Sequence, residues 1–143
     1  MNRLTGLFLL AVFFSCTQSN PNLSREEEIK WKQYRIKGRS LYQLHCSNCH
    51  GINGEGLVNL YPPLSNVDWV TLNSEKISCI IKNGIQGELK INGTLFSGDM
   101  PGHNNLTNLE IAEITAYILS DLNESQEFYD VNEIIRQLNA CED

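Results

Sequence analysis

Cys46-Ser47-Asn48-Cys49-His50 is the stretch on which the reading of this chain turns. Two cysteines three positions apart on a turn present their thiols to the two vinyl groups at one edge of a haem. Each thiol can add across one vinyl group to form a thioether, and the next residue, His50, then lies under the ring with Nε2 available to iron. Two other chemistries use these residue types. Zinc would take Cys46, Cys49, His50 and a fourth ligand such as His103. A thioredoxin-like Cys-x-x-Cys needs a βαβ setting, and this chain shows no such alternation. The motif therefore reads as the attachment site of a single haem c, held covalently by Cys46 and Cys49, with His50 as one axial iron ligand.

Downstream, the other axial position can be argued by elimination. Of two methionines, Met1 belongs to the N-terminal leader, which leaves Met100. It sits in Gly98-Asp99-Met100-Pro101-Gly102, an irregular segment able to pass over the opposite haem face as an extended strap. A thioether opposite imidazole favours ferrous iron relative to two imidazoles. His103 is the rival ligand. His45, directly before Cys46, is badly placed to reach the iron.

Upstream and downstream of the motif the pattern is helical. Ser24 with Glu27 forms a capping box, and Glu26 to Glu28 suit the positive end of a helix dipole. The helix is expected over about Arg25 to His45, burying Trp31, Tyr34, Gly38, Leu41 and Tyr42. Gly38 costs about 1 kcal/mol of helix stability relative to Ala, which makes sense if another helix crosses closely there. Gly51 to Asn73, with Pro62-Pro63 and several glycines, reads as a loop. A short helix is expected from Asn73 or Ser74 through Asn83, with Ile77, Ile80 and Ile81 inward and Gly84 ending it. Ile91-Asn92-Gly93-Thr94 marks a small turn or hairpin. Thr107 with Glu110 opens a second box before Ile111, Ile114, Ile118 and Leu122. Asp130 with Glu133 opens a third before Val131, Ile134, Ile135 and Leu138. The expected fold class is all-α, one small helical domain with two long loops around a filler.

The ends and the charge bound the function. The chain has 143 residues and a formal net charge of −6, enough for one domain and unsuited to nucleic acid, which wants clustered Lys and Arg. Arg3 and the apolar run Leu4 to Phe14 read as an export signal, too short to span a bilayer. It ends at Ser15-Cys16, like the cleavage site of a bacterial lipoprotein, so residues 1–15 are expected to leave as signal. Cys16 is expected to carry lipid, and residues 16–23 to form a tether. Ordinary signal cleavage nearby, or an uncleaved anchor, is the alternative. The domain is then 24–143, exported and held on the periplasmic side of a membrane. Five cysteines are present. With Cys16, Cys46 and Cys49 assigned, Cys79 and Cys141 remain as a pair. In an oxidising compartment that remainder points to a disulfide, with two separate buried thiols as the alternative.

The ordered series Gly38-Arg39-Ser40-Leu41-Tyr42, Cys46 to Gly51, Gly54, Gly56, Tyr61-Pro62-Pro63-Leu64, Asn92-Gly93, Gly98 to Pro101 and the helix from Leu109 to Leu119 resembles the class I c-type cytochrome family. The resemblance implies a cytochrome c-like helical fold wrapped around one covalent haem. It also implies His50 and Met100 as axial ligands, and a backbone carbonyl near Pro62 or Pro63 accepting from His50 Nδ1. Gly38 and Tyr42 would meet the helix carrying Tyr117, and Trp69 and Tyr61 would reach a haem propionate. The implied activity is one-electron transfer, without catalysis of its own. Its partners would be redox proteins such as a reductase, a dehydrogenase or a terminal oxidase, met as a monomer or as a subunit of a complex. The helix from Asp130 to Cys141 is a C-terminal extension beyond the simplest members. The alternative function is an enzyme or gas-binding haem protein whose sixth ligand is easily displaced.

Overall fold

The computed structural model describes residues 20–141. Residues 1–15, expected as signal, Cys16 and residues 17–19 lie outside the described residues, as do residues 142–143. Two crossing helices organise the domain. Helix α1, Arg25–His45, starts at a complete capping box: Glu27 N donates to Ser24 Oγ at 3.3 Å and Ser24 N donates to Glu27 Oε2 at 2.9 Å. Its buried stripe is Trp31, Tyr34, Gly38 and Tyr42. Steps of three and four residues keep these side chains on one face. That face packs on α5, Asn108–Ser120, which begins at the second box, Thr107 with Glu110. At the crossing Gly38 meets the Glu113 carbonyl, and the Tyr42 and Tyr117 rings lie 5.3 Å apart. Trp31 Nε1 donates to Ser120 Oγ at 2.9 Å, so the one polar atom of a buried indole is satisfied.

A four-residue turn of helix, α2 (Ser47–His50), follows α1 directly. The stretch from Gly51 to Asn73 is largely irregular, but Asp68–Leu72 forms a short helix, α3. Five residues are too few to show a helical period in sequence. Ser74–Lys76 is a single 3-10 turn leading into α4, Ile77–Asn83, which stops at Gly84 (φ 81°).

The class is not strictly all-α. Two small antiparallel ladders stand between α4 and α5. One is a hairpin of β2 (Leu89–Ile91) and β3 (Thr94–Phe96). Its turn residues Asn92 and Gly93 both have positive φ, as the favoured two-residue hairpin turn requires. The other pairs β1 (Gly84–Ile85) with β4 (Met100–Pro101), in the register Gly84 to Pro101 and Ile85 to Met100. A strap crossing the domain in extended form leaves backbone groups to be satisfied, and β1 supplies the partners.

Helix α5 is buried on more than one face, because α1, α4 and α6 all pack on it. Its expected inner face, Ile111, Ile114, Ile118 and Leu122, is buried, and so are Ala112 and Ala116 behind it. Helix α6, Val131–Asn139, covers α4 and α5. Its cap is one-sided: Asp130 Oδ1 accepts from Asn132 N and Glu133 N, while the Glu133 carboxylate pairs with Arg136 instead of returning to the cap. Ile134 is fully buried and Ile135 faces solvent, so the apolar stripe is narrower than its sequence implied. Cys79 on α4 and Cys141 after α6 are joined as a disulfide, Cα to Cα 5.8 Å.

Of the residues 16–23 expected as a tether, those from Asn20 on are described, and they are held against the domain. Asn20 is buried at 3 % exposure, its Nδ2 donating to the Gln126 carbonyl at 2.6 Å. Asn22 N and Leu23 N both turn back onto Asn20. An asparagine side chain that can bond its own following backbone closes such a turn locally. Gln126 is remote in sequence, so the docking was not readable there.

Candidate functional site

A largely apolar cleft, about 1000 Å³ including its open mouth, opens between the end of α1, α4 and the strap. Cys46, Cys49 and His50 form one side. Ile77, Ile80 and Ile81 of α4 form another, and Met100 and Pro101 of β4 reach it from the strap. Tyr61, Pro62 and Trp69 come from the loop and from α3. Cys46 is 7 % exposed, and Cys49 is exposed at the mouth; both thiols are free in the structure. Burial, with Cys49 alongside, pushes the Cys46 thiol up to about 11.

His50 is held by its surroundings. Its Nδ1 lies 2.9 Å from the Pro62 carbonyl oxygen. A carbonyl can only accept, so Nδ1 carries the proton and Nε2 keeps its lone pair. Burial holds the imidazole below its usual range, against the opposing pull of that carbonyl. A buried neutral imidazole with a fixed tautomer is the form that binds a metal. The backbone around it is equally tied. Gly56 N donates to His50 O at 2.7 Å, and Tyr42 Oη donates to Gly51 O at 2.8 Å.

The loop that brings Pro62 over His50 is fastened by Asn123. Its Nδ2 donates to Leu64 O at 2.7 Å and to Ile118 O at 2.9 Å, and its Oδ1 accepts from Val67 N at 2.9 Å. Leu64 N and Ser65 N both donate to Gly54 O. Sequence reasoning missed Asn123. An Asn just beyond a helix end is a common C-terminal residue, and nothing local announces that it reaches 59 residues back.

Of the residues expected from sequence, Cys46, Cys49, His50 and Met100 all line this one cleft, and so do Tyr61 and Trp69. His103 and His45 do not; their rings pack against each other, centroids 5.9 Å apart. Among the described residues, no three His, Cys, Asp or Glu side chains converge as a metal cluster. A slot with apolar walls, two thiols on one edge, an imidazole nitrogen free inside and a thioether in its lining has the donor set and the walls that a covalently held haem needs.

Residues 36–121 match the family model described as cytochrome c. This chain belongs to the cytochrome c family. Its cofactor is haem c, bound covalently and typically one per domain in this family. Two forms of cytochrome c-552 from Thermus thermophilus are each 28 % identical over 85 residues. The match covers 57 % of this chain and 64 % of one relative, 57 % of the other, so it spans less than two thirds of either. Haem-based electron transfer is the work of the family. The cytochrome's α6 and its disulfide lie largely outside the matched region, with Cys79 within it and Cys141 beyond.

Proposed function

We propose that this cytochrome is a one-electron carrier with a His/Met-ligated iron, held at the periplasmic face of a bacterial membrane by lipid on Cys16. The observation that carries this reading is the state of His50. Its Nδ1–H is committed to the Pro62 carbonyl, so Nε2 is the nitrogen left for iron, inside a cleft that Met100 also lines. Bound haem c supplies an iron that cycles between ferric and ferrous states. Cys46 and Cys49 would hold it by thioethers. Met100 would be the second iron ligand beside His50, and an iron held by both would have no vacancy for a substrate and little rearrangement on electron transfer.

Backbone pairing of β4 with β1 supports that role for Met100, because it holds the strap at Met100 and Pro101 themselves. The docking of Asn20 supports a short attachment. Four peptide units separate Cys16 from Asn20, a span of at most about 14 Å, so the domain would ride close to the lipid surface. The acidic balance of the chain favours a redox partner with a basic docking surface, reached through a small transient interface.

Absorption spectroscopy tests the ligation. The oxidised protein should show a weak band near about 700 nm that vanishes in Met100→Ala, and the reduced wild type should not bind carbon monoxide. A high-spin wild type, or ready carbon monoxide binding by it, would favour the enzyme or gas-binding reading. Membrane attachment is tested separately: Cys16→Ser should release the protein from membranes, and retention would sink the lipid assignment.

A further inference from the structure

His45 and His103 are the two histidines outside the cleft. His45 is the last residue of α1, and His103 follows β4 by two residues. Both are half-buried, and their rings stand at 69° with centroids 5.9 Å apart. We propose that this pair chelates a borderline divalent cation, Zn²⁺, Ni²⁺ or Cu²⁺, at the seam between α1 and the segment that carries Met100.

Geometry carries the proposal. Two imidazoles bound through nitrogen at about 2.0–2.1 Å to one tetrahedral ion have ring centroids roughly 5–6 Å apart. The pair is already at that separation. The torsion that turns a histidine ring is broad and soft, so the nitrogens can swing to a common point while the backbone stays in place. That backbone is well held. Cys46 N bonds to Tyr42 O at 2.8 Å in the last turn of α1. His103 N bonds to Ile81 O at 2.9 Å, and Leu106 N to His103 O at 3.1 Å. Lys82, the nearby cation, is engaged by the carbonyls of Asn104 and Leu106. Little backbone freedom remains to be lost on binding.

The chemistry agrees. Imidazole suits zinc, nickel and copper, whereas calcium and magnesium want oxygen. Burial, and the charge of His45, hold His103 below its usual range, so it is neutral and available as a ligand near pH 7. Among the described residues no third side chain completes a cluster. Glu110 is occupied by its capping box with Thr107. Water would fill the remaining positions, which predicts a moderate and exchangeable site. A bound ion would tie the end of α1, one residue before the first haem cysteine, to the chain just beyond Met100.

Calorimetric titration of the haem-loaded protein with zinc chloride tests this, after removal of any histidine tag. Haem must be in place because free Cys46 and Cys49 thiols would compete for zinc. One equivalent should bind. His45→Gln and His103→Gln should each weaken binding by at least about tenfold, with the haem spectrum unchanged. Zinc should raise the melting temperature of the wild type and of neither variant. Equal binding by wild type and both variants, or binding only near about 1 mM or above, would overturn the proposal and leave the pair as an edge-to-face packing contact.

Discussion

Gly38 of α1 lies so close to the backbone carbonyl of Glu113 on α5 that a Cβ at position 38 would overlap it. The absence of a side chain there is what lets the Tyr42 and Tyr117 rings meet one turn further on, at 5.3 Å. Gly38→Ala gains helix propensity of about 1 kcal/mol but forces the two helices apart. The crossing should dominate, and urea unfolding should show a net loss of about 1–3 kcal/mol. An unchanged or higher midpoint would mean that the helices can separate without cost.

Asn123 holds the loop that sets Pro62 above His50. Asn123→Ala removes three hydrogen bonds and leaves Val67 N without its partner, beside a side chain that is 2 % exposed. A buried group left unpaired costs about 1–3 kcal/mol. The variant should therefore lose about 2–3 kcal/mol of stability, measured by thermal and urea unfolding. Asn123→Asp, which keeps only the acceptor, should be destabilised as well.

The disulfide ties α6 to α4, whose Ile77, Ile80 and Ile81 form a wall of the cleft. Cys79 and Cys141 are 62 residues apart, and a loop of that length constrains the unfolded chain by about 4 kcal/mol in the chain-entropy description. The double variant Cys79→Ser with Cys141→Ser should unfold at markedly lower urea concentration while the haem spectrum stays as in wild type. Mass spectrometry of the unreduced wild type should find both thiols protected from alkylation.

Acid should loosen the helix starts. Glu27 and Glu110 sit below the ordinary carboxyl value of 4.5, each through bonds with its capping partner, Ser24 and Thr107 respectively. A carboxyl lowered on folding stabilises fully above its unfolded value, and that stabilisation is lost as pH falls through the lower folded value. The urea midpoint should therefore fall between about pH 5 and about pH 3. In Glu27→Gln with Glu110→Gln the boxes can still close, and the fall should be shallower. An equal slope in both proteins would assign the acid response to other carboxyls.

Much of the helical frame is legible in the sequence because its signals are local. The start of α1 at Arg25 and of α5 at Asn108 follow from capping residues within four positions, and the Asn92-Gly93 turn from two residues. Where the local pattern is weak, sequence and structure part. Helix α3 lies in a stretch that reads as loop, α6 buries less than its apolar stripe implies, and Asn20–Leu23 docks where a tether is expected. In each case the deciding contact comes from a distant element: Asn123 for the chain entering α3, α4 and α5 for α6, and Gln126 for Asn20.

By itself, the sequence carried the thiol spacing that suits haem attachment and the starts of α1, α5 and α6. Thiol spacing in Cys46 to His50 is a property of consecutive residues, and helix capping is too. The tertiary structure decided what stands opposite and beside the motif. It brings Met100 into the cleft by pairing it with Ile85, leaves His103 outside, and turns Nδ1 of His50 to Pro62. Two-residue ladders and single carbonyl contacts have no period of their own. They depend on distant segments being held side by side, as the crossing of α1 and α5 at Gly38 holds them.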